Sequence, residues 1–207
     1  MALSTDLFTN LRKDILQGKL HQGEKLTEQQ ICDEYNVSRT PVREAFRQLE
    51  LEGFIETIPN RGAFVVGFSK QDIQDMYELR KSYELLAVKW AIERITKEEY
   101  EKLEEAFEFM EFYTQKKDYE KMLNINMSFH ELIYKASHNK MLYHILSSYQ
   151  LYIKQSRTGG RKEMSNTYLD EILEEHRAIF EAFKSKDTDA GIKAVTMHLD
   201  NAKNRAK

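Results

Sequence analysis

The stretch Val37-Ser38-Arg39-Thr40-Pro41-Val42-Arg43-Glu44-Ala45 decides how this chain is read. Ser38 suits a helix N-cap, because a serine hydroxyl can accept from the first-turn amides that have no intrahelical partner. Pro41 is tolerated just inside, where the amide it lacks would have bonded to nothing. Arg39 and Arg43 lie four residues apart and so share a helix face, with Arg47 one turn further along. In a helix-turn-helix the start of the second helix enters the major groove, where arginine donates two hydrogen bonds to guanine or grips phosphate. The helix N-terminus also attracts phosphate. On a merely solvated helix the same arginines would pair with Glu44, Glu50 or Glu52. What favours DNA is the company the stretch keeps.

Upstream, Leu7, Leu11 and Ile15 recur at helical spacing before Gly18, which predicts a first helix over about 4–17. Thr27 with Gln30 has the form of a capping box, so a short second helix should reach about Tyr35, with Asn36 and Val37 making the turn. Downstream, Gly53 ends the third helix. Phe54 to Ile58 and Ala63 to Val66 are β-prone runs about Pro59-Asn60-Arg61-Gly62, a hairpin turn. Three helices and a hairpin make a winged helix-turn-helix over residues 1–68. Arg61 and Gly62 stand at the tip of a wing suited to the minor groove or the phosphate backbone.

From residue 69 to 207 the pattern is helical throughout. Ser69, Thr96, Asp118, Asn139, Ser165 and Asp187 each stand where an N-cap is expected, predicting six helices in a bundle-like domain. Thr96 and Glu99 form a second capping box. The stripe Tyr100, Leu103, Phe107 and Met110 reads as core. Arg157 to Arg161 reads as a loop with two glycines that connects helices and could border a pocket.

With 41% hydrophobic and 31% charged residues the composition is that of a folded, soluble protein. The net charge is −3, and residues 1–68 carry 8 basic against 10 acidic side chains, so any DNA contact must come from local placement of cations. The opening residues lack a signal-peptide apolar run and no stretch could span a membrane, which predicts a cytoplasmic protein. Cys32, the single cysteine, reads as a small core residue in a reducing compartment.

Gly23-x-Lys25-Leu26-x-Glu28, Val37 to Ala45, Leu49-Glu50-x-Glu52-Gly53 and Gly62-x-Phe64-Val65 together resemble the GntR family of bacterial regulators over nearly all of residues 5–66. The resemblance implies recognition-helix contacts from Arg39, Thr40 and Arg43 and a wing contact from Gly62, with Arg12 and Gln29 as further contacts to the DNA backbone. Met76-Tyr77-Glu78-Leu79-Arg80, with Glu84 and Ala87, resembles the opening of the FadR-type subgroup, whose helical sensor is called FCD. Phe129-His130, Asn139, Glu175-His176-Arg177 and Met197-His198 extend that likeness to the C-terminus.

The histidines also carry geometry of their own. If the last two helices are antiparallel about a turn near Asp187, His176 and His198 lie eleven residues to either side, both about 16 Å from the turn at 1.5 Å per residue. Asn126 and His130, one turn apart, offer two further ligands from another helix. Three imidazoles and one oxygen suit a divalent transition metal, Zn, Ni or Mn, with positions left open. The family commonly has aspartate where Asn126 stands. A neutral amide is a weaker donor and leaves the metal its full charge, which, with Arg80 nearby, would favour a small carboxylate effector.

The expected protein is therefore not an enzyme but a homodimeric transcription regulator, reading a two-fold double-stranded DNA operator under control of a small-molecule effector. Two other readings compete with it. A metal-dependent hydrolase or lyase could use the three histidines, but Glu131 and Glu175 point about 100° away from their neighbouring histidines and leave it without a base. A ligand-free winged helix used for protein contact is the other.

Overall fold

The computed structural model describes residues 2–59, 61–66, 70–156 and 167–205. Asn60, Ser69, Ser165 and the loop Arg157 to Arg161 lie outside them. The described residues form two compact units, one that includes 2–73 and one that includes 74–151 and 167–205.

The first unit contains α1 (Ala2–Leu16), β1 (Lys25–Leu26), α2 (Glu28–Tyr35), α3 (Arg39–Leu51), β2 (Ile55–Ile58) and β3 (Gly62–Val65). Thr27 caps α2 by accepting from the Gln30 amide, but the Gln30 side-chain oxygen accepts from the Thr27 hydroxyl and not from its amide, so only half the capping box forms. Asn36, in the left-handed conformation at φ 50°, ends α2 and turns the chain towards α3. Val42, Ala45 and Leu49 bury one face of α3 against Leu7, Leu11 and Ile15 of α1, Ile31 of α2 and Phe54 of the hairpin. That burial fixes which face of α3 looks outward.

The hairpin is antiparallel, with Ile58 opposite Gly62 and Thr57 opposite Ala63. A third strand that hydrophobic patterning did not reveal completes the sheet. β1, only two residues long, pairs antiparallel with β3 and gives the order β1-β3-β2. Two residues are too few to show an alternation.

Six helices make up the rest of the described residues, α4 (Lys70–Arg94), α5 (Lys97–Gln115), α6 (Tyr119–Ala136), α7 (Lys140–Ser156), α8 (Tyr168–Ser185) and α9 (Thr188–Arg205), and all but the start of α4 and the end of α7 belong to the second unit. Thr96, Asp118, Asn139 and Asp187 all accept first-turn amides at their expected caps, and the Thr96–Glu99 box is complete. Phe107 stacks on Phe180 with centroids 4.9 Å apart, amid Leu103, Met110 and Phe129, so the aromatic stripe is core. Gly191 lets α9 approach closely, since a Cβ there would meet Ile92 Cδ1 at 2.5 Å. No described helix is long and apolar enough to cross a membrane.

Candidate functional site

With Val42, Ala45 and Leu49 inward, the helical period turns Arg39, Thr40, Arg43 and Arg47 outward, and all four are exposed. Ser38 holds the N-cap position with extended backbone, but its hydroxyl makes no cap hydrogen bond and is exposed. Each arginine has a polar partner. Arg43 pairs with Glu28 at 2.7 Å and Arg47 with Glu44 at 2.7 Å, while Arg39 donates to Gln29 at 3.2 Å. Arg47 thus takes Glu44, a partner expected on a solvated helix, whereas Arg43 takes Glu28, across the turn on α2. Hydrogen bonding to Arg43 holds the Glu28 carboxyl below its usual range.

An open groove of about 450 Å³ is lined by Arg43 and Arg47 of α3, by Arg61 and Gly62 of the wing with Lys25 beside Gly62, and by the carboxylates of Glu28 and Glu50. Arg61 is exposed and lies over the Phe64 ring at 5.8 Å, and Gly62 has φ 103°, a conformation that only glycine adopts without strain. Arg12 departs from expectation. It is buried, pairs with Glu52 at 3.1 Å and lies over the Phe8 ring at 4.8 Å, so it braces α1 against the end of α3.

In the second unit, His130 of α6, His176 of α8 and His198 of α9 converge. All three are buried, and one nitrogen of each lies within 4.8 Å of the others. Lys186, left-handed at φ 55°, turns α8 into α9 and brings His176 and His198 level, with ring centroids 4.5 Å apart. Asn126 lies one turn before His130 on α6 and is half-buried.

Every Nδ1 in the cluster faces oxygen. His176 Nδ1 lies 2.7 Å from the Ile172 carbonyl, His198 Nδ1 2.8 Å from Glu175, and His130 Nδ1 3.3 Å from Glu84. Both carboxylates are ionised. Burial raises Glu175, but Arg205, His198 and Asn201 outweigh it and leave it at about 2; burial also raises Glu84, but Arg80 and His130 take it well below the usual carboxylate range. These oxygens only accept, so each Nδ1 carries a proton. The Nε2 atoms of His130 and His176 face each other at 3.1 Å. At that distance either one Nε2 donates a proton to the other or a cation lies between two lone pairs.

Burial, then the neighbouring imidazoles, keeps His176 well below the ordinary histidine range, and burial against the opposing pull of Glu175 takes His198 to about 4. Three buried ring nitrogens within 4.8 Å of one another are also a donor set that fits a divalent metal. Nitrogens bonded to one metal at about 2.1 Å stand about 3.4 Å apart at the tetrahedral angle and about 3.0 Å at an octahedral right angle, a range that includes the 3.1 Å between His130 and His176.

Sequence reasoning missed Glu84 and Glu175 as hydrogen-bond partners of the histidines. Glu175 points away from His176, as expected of a helix neighbour, but reaches His198 across the helix pair. The equal-height argument that aligned the histidines also brings Glu175 near that level. Arg80, proposed for an effector, is buried and paired with Glu84 at 2.6 Å, and Glu84 also accepts from the Tyr134 hydroxyl at 2.6 Å.

Residues 3–65 match the bacterial regulatory proteins of the gntR family, and residues 75–201 match the FCD domain. The chain is 32% identical over 200 residues to the HTH-type transcriptional regulator YdhC of Bacillus subtilis, covering 94% of this chain and 86% of that one. The chain belongs to the GntR family. This GntR regulator is also 28% identical to the galactonate operon transcriptional repressor of Escherichia coli, over 95% of its own length and 93% of the repressor's. Among solved structures, E. coli McbR/YncC has the same fold, with a TM-score of 0.72 at 22% identity over 98% of this chain and 95% of that one. The protein is thus a DNA-binding transcription regulator with an FCD effector domain.

Proposed function

We propose that this GntR regulator binds its operator as a cytoplasmic homodimer, with the exposed Arg39, Thr40 and Arg43 of α3 reading the major groove. Ser38, Arg47 and Gln29 border the same face and contact phosphate, and Arg61 with Gly62 carries the wing to the backbone or minor groove. The observation that supports this reading is the outward row of arginines facing a groove whose opposite wall is the wing. Their present carboxylate partners are half-exposed side chains that phosphate can displace, since exposed pairs are worth little. The buried Arg12 is left out of the DNA set.

The histidine cluster would hold a divalent transition metal through His130, His176 and His198, with Asn126 as an oxygen donor. Such a metal supplies positive charge and open positions to a small carboxylate effector. Arg80 would engage the same carboxylate by exchanging its hold on Glu84. Effector binding changes DNA affinity insofar as the two ligands prefer different arrangements of the dimer.

Two measurements test the reading. A duplex recovered from a random-sequence pool by the native protein should bind Arg39→Ala and Arg43→Ala variants at least ten-fold more weakly, at about 1–3 kcal/mol per lost base contact. Undiminished binding by correctly folded variants overturns the DNA face. Metal analysis of protein never exposed to chelator, beside His176→Ala, tests the metal; none in either preparation overturns it.

A further inference from the structure

We propose that Lys25, whose side chain lies against Gly62 of the wing, contacts the DNA phosphate backbone. This rests on the reading of α3 as the groove helix but concerns a residue outside that set. Lys25 opens β1, the strand hydrogen-bonded to the wing, where Leu26 turns inward and Lys25 outward. Its side chain runs past Gly62 on β3: a Cβ at Gly62 would stand 3.1 Å from Lys25 Cε and 3.9 Å from Nζ. The bare glycine and the lysine stem thus share one space.

The ammonium thereby joins Arg43, Arg47 and Arg61 along the groove between α3 and the wing. When a helix occupies the major groove and a wing the neighbouring minor groove, the sugar-phosphate strand runs between them. Arg43 and Arg47 are already paired with Glu28 and Glu44, whereas Lys25 has no carboxylate partner among the described residues. A flexible point charge suits phosphate better than a base edge. Lysine on an edge strand also discourages strand pairing with other chains, a role that would leave DNA affinity untouched.

Salt-dependent binding separates the two roles. With the full chain and the selected duplex, each phosphate contact adds about 0.9 to the slope of log affinity against log salt, worth roughly eight-fold at about 0.1 M salt. Lys25→Gln should lower the slope by about that amount per protomer and weaken binding to selected and random duplexes alike, while Lys25→Arg retains both. If Lys25→Gln keeps the native slope while Arg43→Gln loses affinity, the Lys25 assignment is overturned and the groove-helix reading stands. If Arg39→Gln and Arg43→Gln also bind normally, the groove-helix reading falls with it.

Discussion

Glu175 Oε2 lies 2.8 Å from His198 Nδ1, so the carboxylate that orients one buried histidine comes from the neighbouring helix, one residue before another. The same carboxylate accepts from Asn201 at 2.7 Å and from both terminal nitrogens of Arg205, at 2.8 and 2.7 Å. The last turns of α9 are thereby tied to the histidine cluster. Its geometry depends on a network with members on α4, α6, α8 and α9.

Glu175→Gln removes the negative charge that fixes the His198 tautomer and supports its basicity. Loss of such a partner ordinarily costs about 10- to 100-fold in metal affinity. Competition titration of Zn²⁺ against a chromophoric chelator checks this in the full-length protein. An affinity within two-fold of the native value would show that Glu175 does not orient His198.

Glu84 shares one buried site with Arg80, Tyr134 and His130. Glu84→Leu strands the Arg80 guanidinium in a low-dielectric interior and should destabilise the protein by about 3–5 kcal/mol in urea unfolding. Adding Arg80→Met removes the stranded charge and should recover part of that loss. A double variant less stable than Glu84→Leu alone would contradict the buried pairing.

The metal-free protein should lose stability on acidification from pH 7 to 5. Burial holds His198 near 4 in the folded state, below its ordinary value near 6.5, so the unfolded chain binds more protons in this window. Stability therefore falls as pH drops through 6.5 towards 4, by about 2 kcal/mol at pH 5 for His198, with His176 acting in the same direction. Denaturant unfolding of chelator-treated protein measures it, and His198→Gln should flatten the dependence by that amount. An equal slope in the variant would remove His198 as the source.

Arg12→Met tests whether the first helix touches DNA. Its charged hydrogen bond to Glu52 is partly buried, so the substitution should cost about 1–3 kcal/mol of stability. The salt slope of DNA binding should not change. A lowered slope would return Arg12 to the DNA set.

The sequence by itself determined the helices, the hairpin and the outward face of α3. The Thr96–Glu99 box, the Asn36 turn, the stop at Gly53 and the 42-45-49 burial of α3 all depend on residues a few positions apart, and the 3.6-residue period then turns Arg39 and Arg43 outward. Even the level of His176 and His198 followed from counting along two helices. Only the tertiary structure decided that Arg12 faces Glu52, 40 residues away, that Glu84 serves His130 and Tyr134 as well as Arg80, and that Lys25 lies along Gly62 through a two-residue strand. Such contacts join segments whose separation in sequence says nothing of their distance in space. They exist because close packing of the hydrophobic core leaves one arrangement in which the buried charges also find partners.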